Sequence, residues 1–348
     1  MNDKENPMDK GYMTLSELIA DIQKDDPTYL PPSKTNVVPL KPTATEENII
    51  PIAWSDFKKD VPKPIEYIFY PCLPVQGIAF IYAATGLGKT LFTLNLAWAI
   101  AGGGNFLKYT CPKPRKVLYV DAEMAHNQIY GRLKAIEERQ GVLDFEENLH
   151  ILTPDKILPY RLPRLDVIED QMLYQKIIEK GNFEVIIFDS LALLSSFDEN
   201  KSHEWVIIQD WLLYLRSLGK TIIIIHHAGK NTAGYRGTSR MLDCVDTAIS
   251  LQPVAEEGLE DENVTAKKFN VVYQKARLFG GKEALPFEAS LDHGFWSHRS
   301  TEQTDLEKVT EKVNAGMSQR EIAKELLTTQ SRVFRLITKA RKLGLLPK

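Results

Sequence analysis

Cysteine is scarce. Cys72, Cys111 and Cys244 are the only three, odd in number and far apart. No zinc-ligand spacing and no disulfide framework can be drawn from them, and a reduced, cytoplasmic setting is the simplest expectation. Long apolar runs are also missing. No stretch reaches the roughly 18 apolar residues that a membrane-spanning helix needs. Charge of one sign is not in excess: the net charge is −3 over 348 residues. Bulk electrostatics therefore makes no case for nucleic acid or membrane, and any such case must be local. The opening "MNDKENPMDKGY" is charged with no apolar segment behind it, which argues against a secretory leader. No repeat of solenoid length is visible.

What remains is an ordinary globular balance, 43% hydrophobic and 26% charged. The length suggests about two domains. Residues 1–60 read as an arm. "MTLSELIADIQ" places Leu15, Leu18, Ile19 and Ile22 at helical spacing, with Thr14 or Ser16 as cap. A proline-rich, polar linker follows. Such a short amphipathic helix cannot bury its own apolar face. Either it docks on something, a neighbouring subunit for instance, or it is a frayed tail.

Residues 61–298 form the main domain. Apolar strand-like runs ("GIAFIY", "KVLYVD", "NLHILT", "EVIIFD", "KTIIIIHH") alternate with amphipathic helical ones. That pattern predicts an α/β fold with a mostly parallel, buried sheet and helices on both faces. After Ala248 the texture changes to shorter strands, "AISLQP", "KFNVVYQKARL", "LPFEASLD" and "GFWSHR", extending the same sheet around a solvated acidic loop, "EEGLEDEN". Residues 299–348 carry no strand candidates and form a small all-α domain.

The stretch "AATGLGKT" follows an apolar strand and opens a helix, the context a phosphate-binding loop requires. Gly86 and Gly88 let backbone N–H groups turn toward phosphate oxygens. Lys89 would contact the β and γ phosphates of ATP, and Thr90 would place its hydroxyl on Mg²⁺; the helix N-terminus adds positive potential. Ala83 stands where such loops usually open with glycine, a position that accepts alanine if its φ stays negative. The nucleotide-contacting stretch is thus Ala83, Ala84, Thr85, Gly86, Leu87, Gly88, Lys89 and Thr90, with Phe92 just behind.

Hydrolysis needs more than a loop. Glu123 falls just past the second strand end with Asp121 before it, Asp189 at another, and His226 and His227 at a third. In a parallel sheet these ends share one edge, where ligands bind. Asp189 would hold a water on Mg²⁺. Glu123 would orient and deprotonate the attacking water. His226 or His227 would sense the γ phosphate. Asp121 is better suited to shaping its turn.

This order of motifs, phosphate loop, "VLYVDAEM", "VIIFDSLALL", "IIIIHHAGK" and "YRGTSRMLDCVDTAISL", resembles that of RecA-like ATPases. More narrowly it resembles the RepA-type hexameric replicative helicases of plasmids and mobile elements, cousins of the DnaB family, over about residues 62–295. The acid after the second strand, with Ser190 rather than an acid following Asp189, is the diagnostic feature; it separates this group from AAA+ proteins. The resemblance implies rings, hexamers in the family, with ATP between subunits and single-stranded DNA in the channel. It also implies a basic residue acting in trans. Arg236 in "GYRGTSR" and Arg277, with Lys275, in "QKARLFGG" both match family segments; motif shape leans to Arg277. The loop carrying Lys230, Arg236 and Arg240 would line the channel and touch DNA phosphates.

"NAGMSQREIAKELLTTQSRVFRLITKARKLGLL" reads as a helix-turn-helix. Ser318 and Glu321 form a capping box. Ile322, Ala323 and Leu326 give the first helix its apolar face; Val333, Phe334, Ile337 and Ala340 do so for the second. From 301 to 348 ten Lys/Arg face six Asp/Glu, a local charge of +4. Duplex DNA bound through Arg332, Arg335 and Lys339 is one reading, and a protein-binding or ATPase-capping helix pair is the other. The leading expectation is a helicase motor. An ATP-controlled DNA-binding regulator and a RadA-like recombination ATPase stay open as alternatives.

Overall fold

The computed structural model describes residues 50–141, 146–196, 202–227, 239–254, 267–326 and 328–347. The predicted helix at 13–23, the acidic loop and most of the basic loop after His227 lie outside them.

The described chain begins with a single helical turn, α1 (Trp54–Phe57), whose Trp54 and Phe57 are exposed. A short antiparallel pair follows, β1 (Tyr67–Phe69) with β2 (Leu73–Pro74). The first α/β unit is β3 (Ile78–Ala83) and α2 (Lys89–Gly102). A small hairpin, β4 (Gly104–Phe106) with β5 (Tyr109–Cys111), separates it from β6 (Val117–Asp121) and α3 (His126–Gln140). Then come β7 (Leu149–Leu152), α4 (Ile168–Lys180), β8 (Val185–Asp189), the short α5 (Leu191–Leu194), α6 (Ser202–Ser217) and β9 (Thr221–His227). Strands β10 (Thr247–Pro253), β11 (Lys267–Ala276), β12 (Phe287–Asp292) and β13 (Phe295–Ser300) precede α7 (Thr301–Asn314), α8 (Gln319–Glu325) and α9 (Gln330–Lys342).

Nine strands form one sheet in the order β13-β12-β11-β10-β3-β9-β8-β6-β7. From β10 to β7 all neighbours run parallel. From β10 out to β13 they alternate antiparallel. The RecA-like, mostly parallel sheet with shorter strands extending it is the predicted architecture; that the extension is antiparallel comes from the structure. The two small hairpins escaped prediction because their strands are only two or three residues long, too short for a period of two to register.

Strand parity explains the continuous apolar runs. Ala79, Ile81, Ile223 and Ile225 join one buried cluster, with α2 and Ile129 and Ile136 of α3. Ile78, Phe80, Ile222 and Ile224 point the other way, into a second cluster with Tyr174 of α4 and Trp205, Trp211 and Leu215 of α6. Successive side chains alternate faces and both faces are covered, so neither set can be polar. A third, separate cluster holds α7, α8 and α9 together through Leu306, Val309, Ile322, Val333, Ile337 and Ala340. Among the described residues no helix is long and apolar enough to cross a membrane.

The capping box is formed: Ser318 N donates to Glu321 Oε2 at 2.8 Å, and Glu321 N to Ser318 Oγ at 3.3 Å. Thr329 caps α9 by accepting from Arg332 N. One assignment needs correction. Phe334, expected in the inner face of α9, is 57% exposed, and Leu336 is buried in its place. With the cap at Thr329, positions 333, 336, 337 and 340 share one face of a helix with 3.6 residues per turn, and 334 falls outside it.

Candidate functional site

The ends of the parallel strands line up as the spacing requires. Ala83 pairs with His227 between β3 and β9, and Asp121 with Asp189 between β6 and β8. Asp189 is also the register partner of Ile225. The phosphate loop, both aspartates and the histidines therefore share one sheet edge.

In the loop, Gly86 and Gly88 have φ of 82° and 100°. Both values lie in the left-handed region that L side chains avoid, so these two glycines are required by conformation. Ala83 is the last residue of β3, fully buried, and needs no such freedom. The alanine is a strand residue, so it does not distort the loop. Ala84, Thr85 and Leu87 continue the loop, and Lys267 Nζ on β11 reaches Gly86 O from above. Phe92, on the first turns of α2, is buried in a cluster with Phe106, Phe269 and Trp296. It supports the loop from behind and does not face a nucleotide.

Lys89 is buried, and its Nζ donates to Ala83 O at 3.1 Å and Ala84 O at 3.2 Å. The third neighbour is His227 Nδ1 at 3.2 Å. A lysine ammonium can only donate, so Nδ1 accepts and the His227 tautomer carries its proton on Nε2. Burial lowers the Lys89 pKa, while the Asp189 and Glu123 carboxylates pull it back up.

The two histidines divide by parity. His227 follows Ile223 and Ile225 onto the face of α2 and the loop. His226 follows Ile222 and Ile224 onto the opposite face, fully buried. Of the two sensor candidates, His227 is the one placed at the loop.

Asp189 is 1% exposed. Tyr119 Oη donates to its Oδ2 at 2.7 Å and lies 2.9 Å from Thr93 Oγ1. Thr93 in turn reaches Lys89 O at 3.0 Å, one helical turn back. Tyr119 and Thr93 thus tie the aspartate to the first turn of α2. Sequence reasoning missed both, although Tyr119 sits two residues before Asp121 on the same strand face and Thr93 four residues after Lys89. Burial, then the neighbouring Asp121, pushes the Asp189 pKa up to about 7; the Tyr119 and Thr90 hydroxyls act in the other direction.

Asp189 Oδ1 is buried without a hydrogen-bond partner among the described residues. An orphaned carboxylate oxygen beside the Thr90 hydroxyl fits a magnesium ion that takes one or two protein oxygens and otherwise water and phosphate. Clusters of three or more His, Cys, Asp or Glu able to hold a metal by themselves are absent among the described residues.

Asp121 closes a turn: its Oδ1 accepts from Glu123 N at 2.8 Å and Met124 N at 2.7 Å. This is an Asx-type turn, and it presents Glu123 to solvent at the site's rim. Glu123 is near enough to act on both Lys89 and Asp189 electrostatically.

Arg277 lies elsewhere. β11 runs antiparallel to β10, so Lys267 is by the loop and Arg277 is past the far end, about 30 Å away for a ten-residue strand. Its Nη1 donates to the buried Asp246 Oδ1 at 3.1 Å and its Nη2 to Asp243 O at 3.0 Å. Lys275 Nζ donates to Leu242 O nearby. Neither can reach this chain's own loop, so contact with a γ phosphate requires a second copy. Lys230 and Arg236 lie outside the described residues, and Arg240 is described only by its backbone, in a 3-10 turn from Ser239 to Leu242.

In the C-terminal unit the three basic residues assigned to DNA part company. Arg332 Nη2 donates to Asp305 Oδ2 at 2.6 Å, and Lys339 Nζ to Glu302 Oε1 at 2.7 Å, both on α7. Arg335 is exposed on the outer side of α9.

Known proteins match this chain in fold and in part of its sequence. The chain is similar in fold to a KaiC-like protein from the hyperthermophilic archaeon Pyrococcus horikoshii, at 14% identity and a TM-score of 0.50, with 68% of this chain and all of that one covered. Residues 43–233, more than half of the chain, match the family described as AAA domain. The match takes in the phosphate loop, Glu123, Asp189 and both histidines and stops before the antiparallel strands. A RecA-like sheet with a phosphate loop at its carboxyl edge and this match lead to one assignment: the chain belongs to the AAA domain family of nucleotide-dependent ATPases.

Proposed function

We propose that the chain is a Mg²⁺-dependent ATP hydrolase that assembles as a ring, a hexamer by its resemblance, and moves on single-stranded DNA as a replicative helicase. The observation that carries this reading is the contact between Lys89 and His227. It links the phosphate loop to the last residue of β9, and the basic segment with Lys230, Arg236 and Arg240 starts within three residues of it. A change at the γ phosphate therefore has a short covalent route to a loop suited to DNA phosphates.

The chain's own groups divide the work. Lys89 would exchange the Ala83 and Ala84 carbonyls for β- and γ-phosphate oxygens. That exchange releases His227 Nδ1 from the lysine and lets the ring turn toward the phosphate. Glu123, at the solvent rim, would take the proton of the attacking water. Thr90, and Asp189 through water, would hold the magnesium ion, which supplies charge neutralisation across the phosphates. Arg277 or Arg236 of a neighbouring copy would complete the charge on the transferring group. Strand displacement on a forked duplex tests the reading. ATP-driven unwinding supports it, and tight ATP binding without DNA-dependent turnover sinks it.

The basic α7–α9 unit favours a second reading, an ATP-controlled DNA-binding regulator. Such a switch has no need of Glu123, so an active base decides against it.

A further inference from the structure

The helix α9 carries five basic residues and no acid. Its buried residues, Val333, Leu336, Ile337 and Ala340, face α7 and α8. Opposite them, at spacings of four, three and four residues, stand Ser331, Arg335, Thr338 and Lys342, which form one outward stripe on a helix. Phe334 flanks that stripe on one side, 57% exposed. Arg332 and Lys339 flank it on the other side, bent back to Asp305 and Glu302.

The acids of the unit are mostly engaged. Glu307 is paired with Arg299 and Glu325 with Lys312, while Glu321 closes the capping box. Arg335 and Lys342, with Arg320 and Lys324 exposed on α8, have no ion pair among the described residues. Positive charge without an ion-pair partner among the described residues thus lies along the outer stripe of α9, and α8 adds the exposed Arg320 and Lys324. A polyanion complements it, and a single helix face of this width fits a major groove.

We propose that α9 enters the major groove of duplex DNA on its Ser331–Arg335–Thr338–Lys342 stripe. Arg335 reads a base edge as a bidentate donor and Phe334 packs on a thymine methyl. Lys342, Arg320 and Lys324 meet phosphates. Arg332 and Lys339 do not touch DNA; they are struts that fix α9 on α7. This rests on the reading that the C-terminal unit binds duplex DNA and is independent of the motor reading.

The test uses the full chain without nucleotide, with excess oligo-dT to occupy any single-strand channel. A labelled pool of mixed-sequence duplexes is the probe, read by anisotropy and by sequencing what is retained. Arg335→Ala should weaken retention about tenfold or more and relax preference at one position. Lys342→Ala should weaken all sequences alike and reduce the salt slope by about 1. Arg332→Ala and Lys339→Ala should stay within about twofold of wild type while melting earlier. The proposal is overturned if folded Arg332→Ala or Lys339→Ala loses as much affinity as Arg335→Ala, or if wild type retains no duplex. In the second case ATPase stimulation by single-stranded DNA still stands or falls separately, which keeps the two failures apart. Retention of a protein partner instead of DNA overturns it equally.

Discussion

Lys89 Nζ lies 3.2 Å from His227 Nδ1, across 138 residues of sequence. The contact exists because β3 and β9 are parallel neighbours in register at Ala83 and His227. It distinguishes two adjacent histidines that chemistry alone treats alike. His227→Ala should lower ATP turnover about tenfold to a hundredfold with nearly unchanged melting, since on the proposed reading it removes the group that senses the γ phosphate. His226→Ala should act through the core, costing about 2 kcal/mol of stability and sparing turnover in the folded fraction. Steady-state rates paired with thermal melts check both.

Tyr119 is the next lever. Its hydroxyl donates to Asp189 and meets Thr93 in a fully buried site. Tyr119→Phe leaves the ring and removes the donor, at a cost of about 1–2 kcal/mol. The carboxylate then loses a partner that favours its charged form. Half-maximal activity at neutral pH should need more magnesium, measured by titrating the metal at saturating ATP.

Asp189 predicts a pH dependence of the nucleotide-free protein. Burial raises its folded-state pKa to about 7 from the ordinary aspartate value of 3.8. The folded state therefore holds a proton that the unfolded chain gives up. That contribution to stability is whole below the unfolded value and is lost as pH rises through about 7. Relative to wild type, Asp189→Asn should gain melting temperature steadily from about pH 4 to pH 7 and then level off. A difference that is flat across that window would contradict the assignment.

Buried thiols give an independent check on the core. Burial pushes Cys72 and Cys111 up to about 12 and Cys244 up to about 11. All three should stay protonated and unreactive toward a thiol reagent at about pH 8 in the native protein, and all should react after denaturation.

Much of this was legible in the sequence because both faces of the sheet are buried. Runs such as "IIII" in β9 had to be strand, and the strand-terminal Glu123, Asp189 and His227 had to share an edge. The phosphate loop announced itself through Gly86 and Gly88, whose φ values no other residue adopts easily. The choice between His226 and His227 was not explicit, because it follows from strand register, which depends on neighbours distant in the chain. Tyr119 and Thr93 were missed because their roles exist only once β6, β8 and α2 are packed. Arg332 and Lys339 looked like DNA contacts by charge alone; their partners Glu302 and Asp305 are about 30 residues away, on a helix the motif does not include. The family matched is described as an AAA domain, while in this chain the acid stands after β6 and Ser190 follows Asp189, which is why the proposed base is Glu123.

The most direct test is the ATPase rate of wild type and Glu123→Gln, each with and without single-stranded DNA. Wild type should be stimulated by the DNA. Glu123→Gln should bind nucleotide as wild type does and lose turnover about 10²- to 10⁴-fold in both conditions. Wild-type turnover by Glu123→Gln would contradict the catalytic assignment, and a wild-type rate indifferent to single-stranded DNA would contradict the motor.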